Sequence, residues 1–325
     1  MIREVPLPTP AQLEAARRVV SDFLEPTPTV RISIRGREVY AKLESLQVTG
    51  AFKVRGGLAA VSASLRDDPT GSVITSSAGN HGLGIAHASM LLGAKATVVV
   101  PANASAAKVK KLKKYDIELI EVGSSYDDAQ AHALQLAEER SIRYISPFND
   151  TNVIAGQSTV FDEMLSQAPS IEHMVVSVGG GGLISGVIMS RDAHQRNDIT
   201  ITGVQPEMSA ALFHVLRGAK MSEVVHRPTI ADGLAGGGDE GAATNNLIAR
   251  TGINLVLVPE LEIRQAVREA AEVNGLVIEG SASASYAAIA LDLMNDQTSQ
   301  MGFISCGRNI SPELFAQLLN ERPSS

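Results

Sequence analysis

From Val39 onward the chain switches repeatedly between two periodicities. Short β-branched runs (VYAKLE, SVITSS, ATVVVP, IELIEV, HMVVSV, ITITGV, INLVLV and GFISC) alternate with stretches whose apolar residues recur at helical spacing, including Asn80 to Leu92, Ser105 to Lys114, Tyr126 to Arg140, Gly182 to Asp192 and Leu261 to Asn274. Near-continuous apolar strands must be covered on both faces, and strands joined through helices run parallel. The pattern therefore predicts an α/β protein built on parallel sheets covered by helices. At 325 residues the chain exceeds the usual size of one hydrophobic core, so two lobes with a cleft between them are expected. Ahead of this alternation, Thr9-Pro10-Ala11-Gln12 combines a cap residue, proline at the first helical position and a glutamine three residues after the cap. That signature predicts a helix to about Leu24, packed outside the main sheet. Gly233 to Gly241 (GLAGGGDEG) is expected to be a loop near the cleft.

The nature of the ligand is bounded by what is missing. No segment approaches the roughly 18 uninterrupted apolar residues of a membrane helix. The N-terminus has early acidic residues and prolines in place of a secretory signal's basic-then-apolar layout. The lone cysteine, Cys306, excludes an internal disulfide framework and a multi-cysteine metal site, as in a reducing cytoplasm. A net charge of −7 with singly scattered basic residues offers no footprint for nucleic acid. A small-molecule partner is expected, with neither membrane nor nucleic acid.

Three segments carry candidate chemistry. In VGGGGLISG (Val178 to Gly186) four glycines follow a β-rich run and precede a helical pattern, so bare N–H groups can converge on an anion at a helix N-terminus. Without GK[ST], and without a strand-GxGxxG-helix unit followed by an acidic residue at dinucleotide spacing, ATP and NAD both lose ground as the owner of that anion. In TGAFKVRGG (Thr49 to Gly57) Lys53 lies between small or aromatic residues and an arginine with two glycines; alone it would pass for a surface lysine. In TSSAGNHGLGIA (Thr75 to Ala86) a strand end turns through Gly79-Asn80 into a helix whose start suits a carboxylate or merely caps itself.

In this order and spacing the three segments, together with AGQST (Ala155 to Thr159), TIADGLA (Thr229 to Ala235), VIEGSAS (Val277 to Ser283) and SCGRN (Ser305 to Asn309), resemble the fold-type-II pyridoxal 5'-phosphate (PLP) enzymes, specifically the serine/threonine dehydratase group. The resemblance spans nearly the whole chain. It implies a tryptophan synthase β-like α/β fold: a large lobe from residues 1–65 and 151–325, and a smaller, mobile substrate-side lobe from residues 66–150. It also implies an assembly of two identical chains, a homodimer. Lys53 is expected to hold PLP as a Schiff base and to move the substrate α-proton, with Phe52 packing beside it. Asn80 matches the partner of the PLP 3'-oxygen; Ser77, with the backbone of Ala78, Gly79 and His81, should hold the substrate carboxylate. Gly179, Gly180, Gly181, Gly182 and Leu183 should cradle the phosphate. Cys306 matches the position facing the pyridine nitrogen, where a neutral thiol disfavours a protonated ring and suits elimination. Glu279 flanks the ring in relatives, and Asn149 is expected near the substrate.

Departures from the family pattern narrow the expectation. Relatives that racemise serine carry a second serine where this chain has Ala78, and a methyl cannot transfer a proton. Gln205 and Ala211 replace two carboxylates of metal-activated relatives, so no metal is expected there. Arg308 stands where relatives have a small residue and is expected to face solvent. No regulatory stretch follows the last motif, so feedback control is not expected. The reaction expected is loss of water from a β-hydroxy-α-amino acid (threonine, serine, 3-hydroxyaspartate or a larger catabolic hydroxy amino acid), giving a 2-oxo acid and ammonia. An amino-acid racemase or β-replacement enzyme of the same fold is the alternative.

Overall fold

The computed structural model describes residues 5–68, 71–236, 238–239, 241–296 and 300–321, so Gly237 and Glu240 of the glycine-rich loop and the first four residues lie outside it. Helix α1 (Pro10–Phe23) starts with the expected reciprocal cap: the Gln12 N–H donates to the Thr9 hydroxyl and the Thr9 N–H to the Gln12 side chain. Strands β1 (Thr29–Ile34) and β2 (Arg37–Lys42) follow as an antiparallel hairpin. Arg35 and Gly36 both take positive φ (47° and 84°), as a two-residue turn of this twist requires. Then come α2 (Lys53–Asp67), β3 (Ser72–Ser76), α3 (Asn80–Leu92), β4 (Lys95–Val100), α4 (Ala106–Leu112), β5 (Glu118–Glu121), α5 (Tyr126–Glu139) and β6 (Arg143–Tyr144). The rest of the chain forms α6 (Thr151–Gln167), β7 (His173–Ser177), α7 (Gly182–Ala193), β8 (Thr200–Pro206), α8 (Ala211–Val215), α9 (Ala243–Thr251), β9 (Asn254–Val258), α10 (Glu260–Asn274), α11 (Gly280–Ala290), β10 (Met301–Ile304) and α12 (Pro312–Asn320).

These strands make two sheets. One has the order β5-β4-β3-β6 and is wholly parallel; all its strands fall between Ser72 and Tyr144. The other has the order β1-β2-β10-β7-β8-β9 and is parallel except for the β1–β2 hairpin. Both are flanked by helices. The central strands β7 and β3 are apolar because both faces are covered: every residue of β7 is buried, and Val73 and Ile74 of β3 have no exposed surface. No described helix is long and apolar enough to cross a membrane.

Helix α2 connects the two halves. It packs on α3 so closely that a Cβ on Gly57 would come within 2.6 Å of the Gly84 carbonyl oxygen, and one on Gly84 within 2.8 Å of the Lys53 carbonyl. Glycine at both positions brings the start of α2, which is Lys53, against α3. Beneath it Arg55, fully buried, donates through Nε and Nη2 to Glu44 (2.8 and 2.7 Å) and through Nη1 and Nη2 to Glu163 (2.6 and 2.7 Å). Lys42 closes the network with a 2.7 Å bond to Glu163.

Candidate active site

Strand ends and helix starts from both sheets meet around Lys53. Its helix start is stitched to the exit of β10: the Phe52 N–H donates to the Cys306 carbonyl (3.0 Å), and Ala51 bridges Gly307. The ammonium lies 5.2 Å from the Phe52 ring centroid and donates to the Pro147 carbonyl at 2.7 Å. Burial lowers its pKa to about 8, against the opposing pull of Cys306 and Glu279. Lysine in this setting is a usable base and nucleophile near neutral pH.

Cys306 is 4% exposed, and burial followed by the Glu279 charge pushes its thiol well above the ordinary range, so it stays protonated. Glu279 caps the start of α11, yet its carboxylate turns away from that helix. One oxygen accepts from the Asn80 amide (2.7 Å) and the other from the Asn309 N–H (2.7 Å). Burial, reinforced by Asp232, raises Glu279 to about 7 in spite of those bonds. The Asn309 amide donates to the Asn80 side-chain oxygen (2.6 Å) and accepts from Lys111 on α4 (2.8 Å). Asn80 is thus held from both ends.

On the β3–α3 side, Ser77, Ala78, Gly79 and Asn80 are half-buried and His81 is buried. The Ser77 N–H is committed to the Val99 carbonyl, which leaves its hydroxyl, a 3.2 Å acceptor for the Gly79 N–H, as its polar contribution. Burial, with the Lys53 charge, lowers His81 to about 3, so the ring is neutral; Nε2 lies 3.3 Å from the Ile145 carbonyl and Nδ1 has no partner among the described residues.

The third wall is the glycine loop. Gly181, the cap residue of α7, has φ 85° and no side chain to satisfy the helix start. The N–H groups of Gly179 to Leu183 find no acceptor among the described residues. Filling is not an alternative. A methyl on Gly180 would enter the Phe148 ring, one on Gly181 would lie 2.9 Å from the Thr244 Cβ, and one on Gly182 would lie 3.0 Å from the Phe148 Cα. A concave set of unspent donors at a helix N-terminus fits a phosphate, and the Lys53 amine and the Cys306 thiol fit the aldehyde and ring nitrogen of a pyridoxal.

A family model for pyridoxal-phosphate dependent enzymes matches residues 20–307. The chain belongs to that family. Its cofactor is PLP. Among relatives, the chain is 33% identical over 293 residues to an L-threonine ammonia-lyase of Thermotoga maritima, covering 90% of this chain and 72% of that protein. It is 29% identical to a serine racemase of Dictyostelium discoideum, covering 95% and 97% respectively. Maize serine racemase superposes with a TM-score of 0.86 at 26% identity, covering 96% of this chain and 97% of that one.

Pro147, Phe148, Thr244 and Asn309 were not singled out in the sequence. The first three act through a carbonyl oxygen, a ring edge and a bond to the Gly180 carbonyl (2.8 Å), none of which residue type announces; Asn309 lay within a recognised motif. Asn149 is half-buried; its side-chain oxygen accepts from the Ala243 N–H at 3.1 Å. Arg308 is exposed. The Gln205 amide donates to the Val178 carbonyl (3.2 Å) and accepts from the Phe213 N–H (2.7 Å), and no cluster of three or more potential metal ligands occurs among the described residues.

Replacing Gly181 by alanine tests the cradle. A left-handed conformation costs a non-glycine residue about 1–2 kcal/mol, and the Thr244 contact adds to it. PLP affinity should fall about tenfold or more, measured by equilibrium dialysis; unchanged affinity would mean that the phosphate binds elsewhere.

Proposed function

We propose that the protein is a PLP-dependent lyase that eliminates water from a β-hydroxy-α-amino acid, releasing a 2-oxo acid and ammonia. The observation that carries this reading is a buried amine at Lys53 together with a methyl at position 78, where racemising relatives carry a serine. Lys53 has an amine pKa near 8, whereas Ala78 packs against the apolar cluster of Leu83 and Ala86 and can carry no proton. Bound PLP supplies an electron sink that acidifies the substrate α-C–H. The protein supplies the positions. The hydroxyl of Ser77 and the free N–H groups at the start of α3 hold the substrate carboxylate. Lys53 takes the α-proton, Asn80 and the glycine loop fix the cofactor, and the neutral Cys306 thiol leaves the ring nitrogen unprotonated. A weaker electron sink favours a reaction in which a leaving group departs from Cβ and removes the developing charge. Residues 66–150 would act as a lobe that closes on substrate, and we assign the enzyme to the cytoplasm as a homodimer.

Racemisation is the competing reading, since serine racemases are also similar to this chain. It requires proton delivery to both faces of Cα. Incubating the holoenzyme with threonine, serine, 3-hydroxyaspartate and longer hydroxy amino acids, and measuring 2-oxo acid and ammonia beside chiral analysis, separates the two. Stoichiometric oxo acid and ammonia is expected. Accumulation of D-isomer without oxo acid would sink the dehydratase.

A further inference from the structure

The polar chain that holds Asn80 ends on a cation. Lys111, half-buried on α4, donates through Nζ to the Asn309 side-chain oxygen at 2.8 Å. The nitrogen of that amide donates twice, to the Asn80 side-chain oxygen (2.6 Å) and to the Thr49 carbonyl (2.9 Å). Asn80 continues the chain, its amide nitrogen donating to Glu279 at 2.7 Å, and the second Glu279 oxygen takes the Asn309 N–H at 2.7 Å. Both polar atoms of the Asn309 side chain are thereby engaged, and the bonds close into a ring. Glycine keeps the space for it. A Cβ on Gly50, where φ is 77°, would lie 2.9 Å from Asn309 Oδ1, and one on Gly307 would lie 2.5 Å from a Glu279 oxygen.

An ammonium can only donate and a peptide carbonyl can only accept. Lys111 and Thr49 therefore allow the Asn309 amide one orientation, and through it Asn80 must turn its oxygen to Asn309 and its nitrogen to Glu279. One hydrogen on that nitrogen is left for the 3'-oxygen of PLP. A charged donor at the start of such a chain polarises each amide after it, and away from water this makes the last N–H a stronger donor. The neighbouring lysines stay outside the chain: Lys108 pairs with Asp232 (2.6 Å), Lys113 pairs with Glu121 (3.4 Å), and Lys110 and Lys114 are exposed. We propose that Lys111 is a positioning residue for the cofactor, orienting and polarising the Asn80 amide through Asn309. The proposal rests on Asn80 facing the 3'-oxygen and not on elimination being the reaction.

A double-mutant cycle on PLP affinity, read by equilibrium dialysis, separates this role from a structural one. Lys111→Met keeps the length of the side chain and removes its donor and charge. It should weaken PLP binding about 3- to 10-fold, the worth of one hydrogen bond. Asn80→Ala should weaken binding as well, and in that background Lys111→Met should change nothing further. Lys110→Met removes an equal charge from the same helix without touching the chain, and should leave affinity within about twofold of the parent. The proposal is overturned by an equal loss on Lys111→Met with and without Asn80, by a loss on Lys110→Met as large as on Lys111→Met, or by unchanged affinity in Lys111→Met. Parent affinity in Asn80→Ala would overturn the placing of Asn80 and the role of Lys111 together. If Asn80→Ala binds too little PLP to measure, Asn309→Ala takes its place, and Lys111→Met should again add nothing. Release of 2-oxo acid by the holoenzyme bears only on the dehydratase reading, which can stand or fall without Lys111.

Discussion

Lys53→Ala should abolish turnover, lowering kcat by more than about 10³-fold, because one side chain is expected both to anchor the cofactor and to move the α-proton. The variant should also lose the long-wavelength absorbance of lysine-bound pyridoxal. Folding should survive. Among the described residues the Lys53 ammonium donates to the Pro147 carbonyl and is in no salt bridge, and its burial disfavours the charge, so its removal should cost little stability. Thermal unfolding without added PLP should therefore match that of the parent, whereas the stabilisation conferred by PLP should shrink with affinity. A fully active Lys53→Ala would refute the assignment; partial rescue by a small primary amine would support the proton-transfer role over simple loss of binding.

Arg55→Met should destabilise the fold by about 3–5 kcal/mol, the range for stripping a buried charge of its partner. It would strip Glu44, which has no exposed surface, of its cation, while Glu163 keeps its bond from Lys42. Burial alone would raise Glu44, but the charge and hydrogen bonds of Arg55 outweigh it and hold the carboxylate below its ordinary 4.5. The sign of the pH dependence follows. A carboxylate with a depressed folded pKa contributes stability above its unfolded value, and loses it as pH falls from about 4.5 through the lower folded value. In Arg55→Met the depression disappears, so that acid-sensitive contribution should vanish, and adding Glu44→Gln should recover part of the loss. Urea denaturation at pH 7 and across the acid limb reads both effects. A change below about 1 kcal/mol would show that neighbouring groups already satisfy Glu44.

What could be read before the fold was known depended on how local each signal was. The Thr9–Gln12 cap spans four residues and appeared as expected. Strand β1 was missed although TVRISI alternates, because its turn is Arg35-Gly36 and arginine at positive φ is not a usual hairpin signal; β6 is two residues long. At the site, Lys53, Asn80, Glu279 and Cys306 were legible because each sits in a short motif, and the structure brings all four together. The ion network was not legible. Arg55 meets Glu44, 11 positions away, and Glu163, 108 positions away, and only the packing of α2 on α6 brings the second within reach.

Asn80 belongs to α3, while Glu279 and Asn309, which grip it, belong to the half of the chain built around the six-stranded sheet. Any parting of the two sheets at this point must break the bonds that orient the amide expected to face the cofactor ring. Grip on the cofactor and access to the cleft are then one mechanical variable, so an enzyme slackened at Asn309 should exchange cofactor and ligand faster together.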